Sequence, residues 1–192
     1  MDNKIKIEKL VFGGQGLGRV ENKVVFVWNA LPGEEVVFDY TTQKKNFAEG
    51  VAKQILTSSP DRVVAKENHF LSCSAWQILS WEKELQYKKE LAEEIYKKNG
   101  DIIISDLEIV SDDQQYNYRN KIEYHFVEKD GQISLAIFLP ESHEVVPVEE
   151  CELARVELNI VAQDILVWLQ TEKISAQNLQ KIILRCNQAG QV

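Results

Sequence analysis

The sequence predicts an α+β protein: a small closed β-barrel followed by an α+β region with an antiparallel sheet and two main helices. Three patterns carry this expectation. Residues 4–56 read as short strands cut by turns at regular spacing. Residues 74–98 and about 151–169 repeat apolar side chains at helical spacing. Between and after these helices the strand pattern returns, with Asp130-Gly131 as a hairpin signal.

In the first region, Ile5 and Ile7 alternate with Lys4, Lys6 and Glu8, and Leu10-Val11-Phe12 follows. "NKVVFVW" (22–28) is β-branched and aromatic, which favours strand. "NALPGEE" supplies a turn at Pro32-Gly33, and "EVVFDY" and "FAEGVAKQIL" read as two more strands around the polar loop "TTQKKN". In "TSSPDR" (57–62), Pro60 stops any regular ladder, so this stretch reads as a linker. The expected division is a barrel over 1–57 and a second region over 63–192.

The first helix is expected over 74–98. Ser72 or Ser74 can cap it, and Ile78, Trp81, Leu85, Leu91, Ala92 and Ile95 form its apolar positions. Glu84 with Lys88, and Glu93 with Lys97, are four apart and can pair, while Lys97, Lys98 and Gly100 mark its end. "DIIISDLEIV", "YRNKIEYHFV" and "QISLAIFL" then read as strands. A second helix follows over about Cys151 to Leu169, on Leu153, Val156, Ile160, Ile165 and Leu169, and "LQKIILRCN" reads as a last strand.

The formal net charge of the 192 residues is −8, which on its face disfavours a polyanion partner. The distribution is uneven. Residues 101–150 hold 3 Lys/Arg against 12 Asp/Glu, whereas residues 1–60 hold 8 against 7. A local basic face is what nucleic acid needs, and the composition permits one. Cys73, Cys151 and Cys186 are a sparse, odd set, which argues against a secreted disulfide framework and for a reducing cytoplasm. No run of apolar residues is long enough to span a membrane, and "MDNKIKIEKL" has no signal-peptide core. The expected state is a cytoplasmic monomer.

"KLVFGGQGLGRV" (9–20) places Gly14, Gly16 and Gly18 at alternate positions. A phosphate-cradling loop needs a helix after the glycines, and the strand-like "NKVVFVW" stands there instead. The stretch therefore reads as a glycine-rich turn between strands, where small residues let a neighbouring strand or a polynucleotide backbone come close.

Several stretches together resemble one family. "FGGQGLGR", "VVFVWNALPGE" and "KKNFAEGVAKQIL" look like a TRAM domain, the oligonucleotide-binding-type barrel found on RNA-modifying enzymes. "SSPDRV", "NHFLSCSAWQILSWEKELQYKKE", "YNYRNKIEYHF" and "VPVEECELA" resemble the segments that follow this barrel in the RNA (uracil-5-)-methyltransferases. The resemblance covers essentially the whole chain. It implies the RNA-recognition portion of an enzyme that transfers a methyl group from S-adenosylmethionine to C5 of a uridine in ribosomal or transfer RNA. The nucleophilic cysteine, the general base and the S-adenosylmethionine site belong, in that family, to a further domain with no counterpart here. Cys186 does not match the nucleophile motif, so no catalytic residue is expected in this chain.

Many members of the family hold an iron–sulfur cluster on four cysteines. By resemblance, Cys73 matches one of the three that precede the first helix and Cys151 matches the fourth. Glu67 stands at the first position, and the remaining one falls on Ser74 or Trp76. A cluster needs four thiolate corners, so none is expected, but the resemblance implies that Cys73 and Cys151 lie close in space.

The expected RNA contacts are Gly14, Gly16 and Gly18, with Arg19 after them and Lys44 and Lys45 on the loop opposite, where cations can meet phosphates. Phe26, Trp28 and Phe38 either stack on bases or fill the core. Tyr118, Arg119, Asn120 and Lys121 are a second set. In a strand, Arg119, Lys121 and His125 share one face and Ile122, Tyr124 and Phe126 the other, so the cations present either a platform for RNA or partners for nearby acids. His69 and His143 have no metal-ligand partners at known spacing and read as structural. Two other functions remain open: a stand-alone RNA-binding or chaperone module, and a protein-interaction scaffold built on the acidic 101–150 segment.

Overall fold

The computed structural model describes residues 3–104, 106–139 and 144–192. His143 lies outside them. The chain forms two units: one gathers the residues up to Ala65 together with Ser74–Val110, the other Lys66–Cys73 together with Ser111–Val192. This division differs from the expected cut at 57–63, because residues 58–65 and the long helix go with the barrel.

Five strands close the barrel of the first unit: β1 (Asn3–Leu10), β2 (Gly16–Val20), β3 (Lys23–Trp28), β4 (Glu35–Gln43) and β5 (Phe47–Thr57). Their order is β1-β2-β3-β5-β4, with β4 pairing back onto β1 and every pairing antiparallel except β3 with β5. The period of two sends Ile5, Ile7, Val25, Val27, Val36, Phe38, Ala48 and Ala52 into one core. Phe38 is thus core, not a stacking platform.

The glycine stretch is a strand and not only a turn. Gly13 and Gly14 turn the chain with φ of +94° each, while Gly16 and Gly18 belong to β2. All of Gly14, Gly16 and Gly18 are buried. A Cβ on Gly18 would stand 2.4 Å from the Lys6 carbonyl oxygen, and one on Gly16 2.7 Å from Ile7 and 2.8 Å from the Ala30 carbonyl oxygen. The glycines let the barrel close tightly, since a side chain at Gly16 or Gly18 would meet neighbouring backbone.

The stretch read as a linker is a packed turn. Glu34 has no exposed surface and accepts hydrogen bonds from the Leu31 N–H (2.8 Å), the Ser59 N–H (3.0 Å), Arg62 Nε (2.6 Å) and Arg62 Nη2 (2.8 Å). Burial alone would push its carboxyl up, but these bonds hold it below the ordinary 4.5. Arg62 also donates to Asn29 Oδ1 and to the Asn29 carbonyl oxygen.

The long helix of this unit, α2 (Trp81–Gly100), starts later than the apolar periodicity predicts. Ser80 is the cap, accepting from the Lys83 N–H, whereas Ser74 caps a separate 3₁₀ turn over Ala75–Ile78. Asp101 takes the left-handed position after the last turn (φ 51°) that Gly100 was expected to mark. Glu84 pairs with Lys88 as expected, and the second pair is Glu94 with Lys98. Lys9 also reaches Glu94, and the Tyr87 hydroxyl donates to Asp61 (2.9 Å). The described residues of 101–110 are irregular: their isoleucines and valine find no strand to pair with, and Ile103 and Val110 are 80% and 90% exposed.

The second unit holds a short helix α1 (Phe70–Cys73) and the sheet β6 (Lys121–Lys129), β7 (Gln132–Phe138), β8 (Val145–Pro147) and β9 (Lys181–Arg185), in the antiparallel order β8-β7-β6-β9. Asp130 and Gly131 both have positive φ (52° and 76°), giving the expected two-residue hairpin. Helix α3 (Val156–Thr171) lays Leu158, Ala162, Leu166 and Leu169 into one core with Ile122, Tyr124, Leu135 and Leu184. It begins five residues after Cys151. The Arg119 N–H donates to the Leu153 carbonyl (2.8 Å) and the Arg155 N–H to the Arg119 carbonyl (3.0 Å), which keeps the chain before Val156 out of the helix.

Candidate nucleic-acid interface and a buried thiol cluster

On the barrel, the strand register sets the predicted cations in a row. Arg19 of β2 lies opposite Val24 of β3, Val24 opposite Phe47 of β5, and the Phe47 carbonyl accepts from the Lys44 N–H at the β4–β5 hairpin (2.9 Å). Lys44 and Lys45 are exposed and have no ion pair among the described residues. Arg19 is 54% exposed, with Glu8 at 3.8 Å, a loose pair that water screens. Phe26 lies beside them, edge-on to Phe47 with centroids 6.0 Å apart. Phe26 and Trp28 are half-buried on the outer face, with Val25 and Val27 pointing inward between them. Cations beside aromatic rings can hold phosphates while bases stack.

In the second unit, β6 splits its faces as its alternation predicts. Ile122 and Tyr124 are buried, and Lys121, Glu123 and His125 point outward. The register adds two cations the sequence reading missed: Arg185 lies directly opposite Lys121, and Lys181 directly opposite His125. Lys181 pairs with Glu123 (2.8 Å), which is 3.7 Å from His125. Lys121 and Arg185 face each other with no ion pair among the described residues. Like charges directly across a ladder are unfavourable without an anion between them. Tyr118 and Asn120 are exposed just before this strand. Arg119 is half-buried, and its Nη2 donates to the Cys73 carbonyl oxygen at 2.7 Å.

That bond leads to a cluster. Cys73 and Cys151 place their sulfurs 3.4 Å apart, within the reach the resemblance implied. The distance is too long for a disulfide, whose S–S bond is about 2.05 Å. His69 Nε2 lies 3.0 Å from Glu67 Oε2, and the donor atoms of Glu67, His69 and Cys73 all fall within 4.8 Å of one another. The bond from Cys73 lowers the Cys151 thiol against its burial, and the same bond together with burial pushes the Cys73 thiol up. Burial works against a charged His69, but Cys151 and Glu67 raise its pKa to about 9.

The TRAM domain family matches residues 4–53. The chain as a whole is similar to part of several RNA methyltransferases. An uncharacterized RNA methyltransferase of Fusobacterium nucleatum is 36% identical over 193 residues, which is 95% of this chain and 40% of the relative. One from Bdellovibrio bacteriovorus is 33% identical over 98% of this chain and 47% of its own length. The chain thus spans less than half of the curated relatives it matches. Among solved structures, the crystal structure of Pyrococcus abyssi tRNA (uracil-54, C5)-methyltransferase in complex with S-adenosyl-L-homocysteine superposes with a TM-score of 0.65 at 20% identity, over 96% of this chain and 43% of that one. This likeness shows a shared fold. Arg19, Lys44 and Lys45 therefore lie in the barrel that matches the TRAM domain family, and Cys73 and Cys151 in the second unit.

Proposed function

We propose that this chain supplies RNA recognition to an S-adenosylmethionine-dependent RNA (uracil-5-)-methyltransferase acting on ribosomal or transfer RNA, and is not catalytic by itself. The observation that carries this reading is the TRAM barrel, whose outer face presents Arg19, Lys44 and Lys45 beside Phe26 and Phe47. The relatives are RNA methyltransferases, and the Pyrococcus abyssi neighbour acts on a tRNA uracil. S-adenosyl-L-homocysteine, bound in that neighbour, is what remains once S-adenosylmethionine has given up its methyl group. No residue of this chain is assigned to that cofactor. The outer face of β6 and β9, with Lys121, Lys181 and Arg185, is a second surface suited to phosphates.

The test is fluorescence anisotropy of a labelled, structured RNA titrated with the 192-residue chain, alongside methyl-transfer counting with labelled S-adenosylmethionine. Weak, salt-sensitive RNA binding without methyl transfer is the expected result. Methylation of uridine by the pure chain would overturn the non-catalytic assignment. Absence of RNA binding at low salt, with capture of a basic protein instead, would turn the reading to an acidic scaffold.

A further inference from the structure

The sheet of the second unit packs one face against α3 and leaves Lys121, Phe138, Ile183 and Arg185 exposed on the other. Four-stranded sheets of this kind can stack about two or three unpaired RNA bases on aromatic side chains of the free face. Alternation along β7 sends Ile133, Leu135 and Ile137 into the core and turns Phe138 outward. There its ring meets that of His125 edge-on, with centroids 4.4 Å apart. Phe138 keeps 43% of its surface exposed, and Ile183, directly opposite Glu123 in the ladder, keeps 47%. An aromatic ring and an aliphatic side chain thus stand in water among cations.

We propose that this face binds single-stranded RNA: an unpaired base stacks on Phe138 beside His125, and a phosphate of a neighbouring nucleotide sits between Lys121 and Arg185. The inference rests on the RNA-recognition reading and adds the form the RNA takes at this surface. Lys121 and His125 are four positions apart on β6, about 13 Å, a span for neighbouring nucleotides of one strand. In a duplex the faces of the bases are covered by their neighbours, so a ring standing on a sheet takes a base that is unpaired. Every base has a π-face, so stacking on Phe138 does not depend on which base arrives.

The charges favour a polyanion over an apolar ligand. Lys121 stands directly opposite Arg185, two cations whose repulsion an anion between them relieves. Glu123, the acid nearest to them on the same face of β6, is taken up by Lys181 at 2.8 Å and lies 3.7 Å from His125. It therefore leaves Lys121 and Arg185 uncompensated. The acids Glu149, Glu150 and Glu152 gather elsewhere in the unit, along a cleft shared with Gln163 and Gln170 of α3. A strand of phosphates is repelled from that cleft and drawn to the cationic face of the sheet.

The test is fluorescence anisotropy of a labelled oligouridine against the 192-residue chain, beside the same strand paired with oligoadenine. The single strand should bind more tightly than the duplex. Phe138→Ala should weaken oligouridine binding by about 5- to 150-fold, the loss of one base stack, and leave the salt slope unchanged. Phe138→Tyr keeps the ring and should bind as the parent does. Lys121→Gln/Arg185→Gln should make the slope of log affinity against log salt shallower by about 0.7, one phosphate contact. If Phe138→Ala fails to fold, ultraviolet crosslinking of a 4-thiouridine oligonucleotide to the unmodified chain carries the same information, with the adduct expected on the peptide that holds His125 or Phe138. Parent-like binding by Phe138→Ala, equal or tighter binding of the duplex, or crosslinks confined to the barrel would each overturn this inference and leave RNA recognition by the barrel in place. A parent chain that binds neither RNA at low salt would overturn the RNA-recognition reading itself, and this inference with it.

Discussion

Arg62 closes on Glu34 through two hydrogen bonds, at 2.6 and 2.8 Å, and thereby ties the turn after β5 to the loop before β4. Glu34 is fully buried, so removing Arg62 leaves a buried carboxylate short of its counter-charge. Arg62→Ala is expected to cost about 3–5 kcal/mol, the range for breaking one partner of a buried pair. Urea unfolding at neutral pH measures it, and a loss under 1 kcal/mol would contradict the geometry.

The same carboxylate gives a pH dependence. Its pKa is depressed in the folded chain, so its contribution is present above the unfolded value near 4.5 and is lost as pH falls through the lower, folded value. Glu34→Gln should therefore be less stable than the parent at neutral pH, and the gap should close as the solution is acidified below 4.5. A gap that widens on acidification would contradict this assignment.

The glycines of β2 should behave as packing residues. Gly18→Ala drives a Cβ against the Lys6 backbone and should destabilise by about 1–3 kcal/mol or more, the usual cost of overpacking. Gly33→Ala meets open space and pays only for φ of +84°, about 1 kcal/mol. Thermal melts of the two variants rank them, and equal losses would mean that conformation rather than crowding fixes Gly18.

Asn159 is expected to be worth more than one hydrogen bond. Asn159→Ala removes the acceptor used by both the Tyr124 hydroxyl and the Cys151 N–H, and should cost about 1–3 kcal/mol. Tyr124→Phe removes one donor and leaves Asn159 in place, so it should cost about 1 kcal/mol. Chemical denaturation of the pair, with the double variant, tests whether the two losses are coupled.

The alternation of Ile5 and Ile7, of the 22–28 stretch and of 35–40 made the barrel legible, because a period of two has one meaning when one face is buried. β2 was hidden because glycine carries no side chain to alternate. The start of α2 was misread because Ile78 and Trp81 continue its apolar spacing across a 3₁₀ turn and the Ser80 cap. Ile102–Ile104 have strand propensity, but propensity forms no strand without a ladder to join. Lys44 and Lys45 were visible as loop cations, whereas Arg185 and Lys181 entered only with the pairing of β9 on β6. Arg119 was read as a cation of the β6 face, and the fold adds a tertiary bond from it to the Cys73 carbonyl that its sequence neighbours do not announce. His69 was read as structural because Glu67, His69 and Cys73 match no familiar ligand spacing. The Cys73–Cys151 contact spans 78 positions of sequence and was legible only through the family resemblance of the cysteines.

The most direct measurement of the RNA-recognition account compares the salt dependence of RNA affinity for the parent chain and for Arg19→Gln/Lys44→Gln/Lys45→Gln. Each phosphate contact on single-stranded RNA contributes about 0.7 to the slope of log affinity against log salt. The account predicts weaker binding by the variant and a slope shallower by about 2, with unchanged thermal stability. Equal affinity and equal slope in the two proteins would contradict it.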